Sequence, residues 1–230
     1  MSRARDGGEV RRLYQEVADQ IRALIRSGQF PAQTRLPAER DLAQQLNVSR
    51  PSLREALIAL EIDGTVEIRM GSGVYVLEPS DRGPALTRAL GESPTELMQA
   101  RVAVEGAVAL LACARVSPSF LDRLGAIGGA MLAAIEAGRD PMAQDRAFHM
   151  AIAEQTGNSV LSRIVAFLFD ERFSRISARL SSRYEDRRSW MAAAEEHAAV
   201  LRALSARDSL AAQAAMTRHL QLSAERWIDR

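Results

Sequence analysis

Two groups of residues in this chain have the types and spacing to do chemistry. In the second half, Asp145 and His149 are four residues apart, which places them on one face of a helix. The remaining two of the three histidines, His197 and His219, flank a turn near Arg207. At a rise of about 1.5 Å per residue they lie roughly 15 and 18 Å from that turn, nearly level across a helical hairpin. A carboxylate and three imidazoles can therefore converge inside a bundle. Such an oxygen–nitrogen donor set suits Zn²⁺, Ni²⁺ or Mn²⁺. The plainer alternative is three unrelated histidines, each satisfied by its own neighbours. Arg101 precedes Glu105 by one helical turn. That spacing gives either a surface ion pair or a guanidinium fork offered to a ligand carboxylate.

The second group is Ser49, Arg50, Ser52 and Arg54. Ser49 reads as an N-cap, with Pro51 in the first turn behind it. The four residues then sit on the opening turns of a helix. There, arginine can pair bidentately with guanine O6 and N7, while hydroxyls and the helix N-terminus can take phosphates. A solvated arginine face on a small domain is the alternative.

The elements that must position these groups follow from periodicity. Residues 10–27 carry Leu13, Val17, Ile21, Leu24 and Ile25 at helical spacing, and Gly28 ends the run. A short helix over 38–46 and a turn at Asn47-Val48 precede the helix from Ser49 to about Asp63. Alternating residues 66–69 and 74–76, separated by Met70-Gly71-Ser72-Gly73, predict a hairpin. This order is a winged helix-turn-helix. Residues 79–93 read as a linker, with a short helix around 85–90. From Ser93 onward everything predicts helix. Successive starts fall at Ser93-Pro94, Ser117-Pro118, Asp140-Pro141 and Ser159, the last helix of these running to about Ser181. A charged loop (183–188), a helix from about Ser189 and another behind Asp208 complete an antiparallel bundle. The fold class expected is mostly α, with domains at 1–78 and 94–230.

Composition narrows the function. The 230 residues are 47% apolar and 26% charged, with a net charge of +1, an ordinary globular balance. All 30 basic residues are arginine. A single cysteine, Cys113, excludes a disulfide framework and a cysteine zinc ribbon. No apolar run approaches the roughly 20 residues of a membrane span. The first residues lack a signal-peptide core. A cytoplasmic protein with no membrane partner is the expectation.

The first domain resembles the winged helix of the GntR family of bacterial transcription regulators. The likeness rests on Leu36-Pro37-Ala38-Glu39-Arg40-Asp41-Leu42-Ala43, on Val48-Ser49-Arg50-Pro51-Ser52-Leu53-Arg54-Glu55-Ala56-Leu57, and on Gly64 with the Gly71-Ser72-Gly73 wing. It implies DNA contacts by Arg40, Arg50 and Arg54, by Ser49 and Ser52, and by Gly71 at the wing tip. Pro51 stands where the family often has threonine, which removes one phosphate contact.

The second domain resembles the FCD-type ligand-binding domain of the FadR subfamily. That likeness is carried by Asp145, Phe148, His149, Ile152, Gly157-Asn158-Ser159 and Leu161, with His197 and His219 beyond. It implies a divalent metal, Zn²⁺ by preference, on Asp145, His149, His197 and His219. It also implies a small carboxylate effector held by Arg101. Asn158 is expected either to cap a helix or to line the effector cavity. Arg172 or Arg175 is expected either to bind effector oxygens or to form a local salt bridge. Within the subfamily the chain is most similar to hexuronate-responsive repressors, which implies a sugar acid such as a hexuronate or aldonate. A small hydroxy or dicarboxylic acid, or an acyl-CoA, is the alternative. The expected protein is a homodimeric repressor on pseudo-palindromic double-stranded operator DNA, and not an enzyme. A metal-dependent hydrolase or lyase is the remote alternative.

Overall fold

The computed structural model describes residues 13–78, 92–171 and 174–228. The chain divides into two compact units between Ser93 and Pro94, and each is taken by itself. Within the first unit, α1 (Leu13–Arg26), α2 (Glu39–Leu46) and α3 (Arg50–Ile62) precede a hairpin of β1 (Val66–Arg69) and β2 (Gly73–Val76). The apolar stripe of α1 buries Tyr14, Val17, Ala18 and Ile21, and α1 packs on α3. Asn47 takes the left-handed conformation (φ 54°) after α2, and its N–H returns to the carbonyls of Ala43 and Gln44. This conformation is cheapest for Gly and Asn, and it turns the chain sharply into α3. Ser49 caps α3 by accepting the Ser52 N–H. On its inner side α3 buries Leu53, Ala56, Leu57 and Leu60.

The two strands pair antiparallel, from Val66 opposite Val76 to Arg69 opposite Gly73. Gly71 (φ +70°) and Gly73 (φ +114°) supply the positive φ values of the wing turn. A single bridge from Arg35 to Tyr75 adds a rudimentary third strand.

The second unit is all helix: α4 (Pro94–Cys113), α5 (Pro118–Glu136), α6 (Met142–Gln155), α7 (Ser159–Asp170), α8 (Arg175–Tyr184), α9 (Arg187–Ser205) and α10 (Ser209–Ile228). Its core gathers Met98, Val108, Phe120, Leu124, Phe148, Ile152, Val165, Val200, Leu204, Met216 and Leu220. Helix α10 packs against α4 and α9, α5 against α6 and α9, and α6 against α4 and α7. Gly106 lets α4 and α10 approach closely, because a Cβ there would lie 2.5 Å from the Thr217 hydroxyl.

Three expectations change. The single helix from Ser159 to Ser181 is two: α7 ends at Asp170, and α8 starts at Arg175. The charged loop over 183–188 shrinks to Glu185 and Asp186, because α8 reaches Tyr184 and α9 starts at Arg187. Asp186 accepts the Ser189 N–H at 2.8 Å, and the Ser189 hydroxyl accepts the Asp186 N–H at 2.8 Å. This reciprocal box satisfies two donors and makes the arginines the first turn of α9. Finally, Asn158 rather than Ser159 caps α7, its side-chain oxygen accepting from Val160 and Leu161. The expected short helix around 85–90 lies outside the described residues, as does the start of the first helix before Leu13.

The Asn158 cap is measurable. Asn158→Ala should lower unfolding free energy by about 1 kcal/mol, and Asn158→Asp should keep most of it. Urea denaturation followed by circular dichroism checks both.

Candidate metal and effector site

Helix α6 carries Asp145 and His149, α9 carries His197, and α10 carries His219. All four are buried, and one ligand atom from each lies within 4.8 Å of all the others. The His197 and His219 Nε2 atoms are 3.2 Å apart. Asp145 Oδ1 stands 3.3 Å from His197 Nε2 and 3.7 Å from His149 Nε2. Four ligands about 2.1 Å from a tetrahedral ion stand about 3.4 Å apart, so the spacing fits a single ion. Helical spacing brings Asp145 and His149 together, and the α9–α10 hairpin brings the other two level with them.

Hydrogen bonding on the far side of the rings points the same way. His149 Nδ1 meets Glu105 Oε2 at 2.5 Å, and His219 Nδ1 meets Glu196 Oε2 at 2.8 Å. A proton held at Nδ1 by a carboxylate leaves the Nε2 lone pair for a metal, and fixes the ring's orientation. His149 Nε2 is buried with no hydrogen-bond partner among the described residues. His197 stacks flat on Phe148, with centroids 4.0 Å apart. Burial, and then the neighbouring His219, push the His197 pKa well below the usual imidazole value. Burial also lowers that of His219. Both therefore favour the neutral form that ligates metals. For His149 burial pulls downward, but the Glu105 and Asp145 carboxylates together outweigh it and raise the pKa.

Arg101 adjoins this cluster. The i,i+4 pair with Glu105 is not a surface pair, since Arg101 is only 1% exposed. Its Nε donates to Glu105 Oε1 at 2.6 Å. Its guanidinium carbon lies 4.7 Å from the centre of the Phe169 ring. Burial raises the Glu105 pKa, but Arg101 and then His149 reverse this and hold it at about 2. Arg101 Nη2 has no hydrogen-bond partner among the described residues. Arg101 borders a cavity of about 20 Å³ together with Asp145, His219, Arg226, Glu185 and Trp190.

The other candidate residues lie elsewhere. Asn158 is exposed, spends its side-chain oxygen on the α7 cap and does not border that cavity. Arg172 lies outside the described residues, as does the side chain of Arg175. In the first unit, Arg40, Ser49, Arg50 and Gly71 are exposed and Ser52 is half-buried. The Ser49 and Ser52 hydroxyls are 2.8 Å apart. Arg54 differs: it is 5% exposed, and its Nη2 donates to Glu39 at 3.0 Å. In this conformation it ties α2 to α3 rather than facing solvent.

Sequence reasoning missed Glu196 and Arg226. Arg226 grips Glu196 with two bonds of 2.7 and 2.9 Å, and Glu196 in turn orients His219. Arg226 falls seven residues after His219, on the same helix face, and that spacing was the available signal.

Comparisons with known proteins agree with these two units. Residues 13–76 match the gntR family of bacterial regulatory proteins, and residues 96–222 match the FCD domain. The Exu regulon transcriptional regulator of Escherichia coli K12 is 34% identical over 222 residues, covering 93% of this chain and 83% of that protein. The Uxu operon transcriptional regulator of the same strain is 34% identical over 229 residues, covering 95% and 88%. Among solved structures, Streptococcus agalactiae GntR shares the fold, with a TM-score of 0.50 at 23% identity over 92% of this chain and 99% of that one. No described helix is long and apolar enough to cross a membrane. The chain belongs to the GntR family, in the FadR group that joins a winged helix-turn-helix to an FCD domain, and is a DNA-binding transcription regulator.

Proposed function

We propose that the FCD domain holds one divalent transition metal, Zn²⁺ by its donor set and otherwise Ni²⁺ or Mn²⁺, on Asp145, His149, His197 and His219. A small carboxylate effector then binds beside it through Arg101. One observation carries this reading: a buried guanidinium, already half spent on Glu105, keeps an unsatisfied Nη2, and its residue borders a cavity at the ligand cluster. A buried, unpaired donor on a cation is costly, and an incoming carboxylate relieves that cost. A bound ion adds a Lewis-acidic anchor for an effector oxygen.

The effector class proposed is a sugar acid, a hexuronate or aldonate. It is supported by likeness over more than nine-tenths of the chain to regulators named for the Exu regulon and the Uxu operon. Small hydroxy acids such as lactate are the competing class. The metal site serves binding rather than turnover, since four protein ligands leave an ion little beyond the one added position that an effector oxygen would take. The effector must prefer the state that does not bind DNA, because only differential affinity shifts an equilibrium. Its arrival then relieves repression in the cytoplasm.

Exposed apolar residues on two packed helices support a homodimer. Arg101 against Phe169 and the Arg115 guanidinium beside Gly157 set α4 and α7 antiparallel. Ala103, Ala107 and Leu111 of α4 are exposed, as are Val160, Ile164 and Phe167 of α7, at helical spacing. An apolar face across two packed helices suits a second copy related by a two-fold axis. Two winged helices would then grip the two half-sites of an operator.

Replacing Phe167 and Ile164 together by Glu should give a folded monomer in sedimentation. Arg50→Ala should cost about 1–3 kcal/mol of operator affinity by fluorescence anisotropy, with thermal stability unchanged. In a thermal-shift series, a hexuronate at 100 times its dissociation constant should add about 2.7 kcal/mol. A chelator should remove that gain, as should His197→Ala, which loses the metal. Arg101→Lys should keep the metal but lose the acid, since lysine keeps the charge beside Glu105 without the fork. Shifts indifferent to chelation would overturn the metal–effector reading.

A further inference from the structure

The cavity beside Arg101 and His219 measures about 20 Å³, room for about one water. No sugar acid fits there as the structure stands. Across one wall lies a second cavity of about 320 Å³, within the roughly 300–1,000 Å³ range of small-molecule sites. The two share Glu185 and Trp190. These residues stand at the α8–α9 turn, Trp190 in the first turn of α9. Trp190 is half-buried and packs on the small cluster formed with Met131 and Ile135. Trp190 borders both the inner cavity and the outer one.

The outer cavity differs in chemistry. It is bordered by Ile135, Pro141 and Trp190, and by the exposed residues Arg139 and Arg187. Asp140 and Asp186 also border it, but each spends a carboxylate oxygen on a backbone N–H at a helix start. An aromatic face with two guanidinium forks at its rim matches a molecule with an apolar C–H face and hydroxyls around its edge. That description fits a sugar ring, and fits an acid of two or three carbons poorly.

We propose that Trp190 is the specificity-determining residue of the effector site. Displaced from the wall, it joins the two cavities and stacks on the ring of a sugar acid. The acid's carboxylate reaches Arg101, and its hydroxyls accept hydrogen bonds from Arg139 and Arg187. This rests on the effector reading above and narrows it, since it selects a ring-sized sugar acid over glycolate or lactate.

Calorimetric titration of the metal-loaded, full-length protein with galacturonate, glucuronate and glycolate tests it. Trp190→Ala should weaken the hexuronate by about tenfold and leave glycolate within about twofold, while Trp190→Phe should recover most of the loss. The chain has two tryptophans, so a Trp227→Phe background makes Trp190 the sole reporter. The hexuronate should then shift its fluorescence, and glycolate should not. Unchanged hexuronate affinity in Trp190→Ala, with binding still chelator-sensitive, would overturn the role of Trp190 and leave the metal–Arg101 reading standing. Equal weakening of hexuronate and glycolate would also overturn it. If no acid binds the wild-type protein in a chelator-sensitive way, both readings fall together.

Discussion

A carboxylate buried with its charge intact is the constraint on which the FCD domain turns. Glu105 is 2% exposed. One of its oxygens is held by Arg101 and the other by His149. A charge this deep survives only if it is paired and hydrogen-bonded on both oxygens. Removing Arg101 would leave the buried Glu105 charge without its ion-pair partner, at a cost of roughly 3–5 kcal/mol. The same two bonds leave Arg101 Nη2 and His149 Nε2 without hydrogen-bond partners among the described residues, as the proposed acid and metal require. On that reading, ion pairing, metal ligation and anion binding would depend on one side chain on α4.

Glu196 repeats the device on the opposite side of the cluster. It is fixed by two bonds from Arg226 and holds the Nδ1 of His219. Two of the three imidazoles are therefore set in tautomer and orientation by carboxylates that are themselves clamped by arginines. Both clamps border the inner cavity, so an acid entering there meets guanidinium groups already held in place. Such preorganisation reduces the ordering cost of binding.

Much of this was legible in the sequence, for identifiable reasons. With only three histidines in the chain, helical spacing and hairpin arithmetic placed the four candidate ligands level with one another, and they do cluster. The recognition helix was legible because Ser49, Asn47 and Gly64 mark its boundaries by local chemistry. The break between α7 and α8 was not. Leu161, Val165, Leu168, Ile176 and Leu180 continue a helical rhythm across it, with no Gly or Pro between Asp170 and Arg175 to mark the stop. The partners that orient ligands were hard to see for another reason. Glu105, Glu196 and Arg226 are charged residues among 59, and only long-range packing distinguishes them from a solvated face. Arg54 shows the same limit: its place on α3 is readable, but its burial against Glu39, 15 residues away, is a tertiary fact.

The site's topology also bears on how a small acid could act on so large an object. The metal ligands come from α6, α9 and α10, and Glu105 ties α4 to them through His149. An ion on the four ligands joins three helices, and an acid on Arg101 engages the fourth. Helix α4 starts at Pro94, where the second compact unit starts, and Arg101 lies only seven residues further on. The helix that would receive the proposed effector's charge is therefore the one the chain enters on leaving the DNA-binding unit. Packed helices shift as rigid elements between discrete arrangements rather than deform continuously. A buried cation that gains or loses its ligand is a local electrostatic change of the kind that biases such a choice.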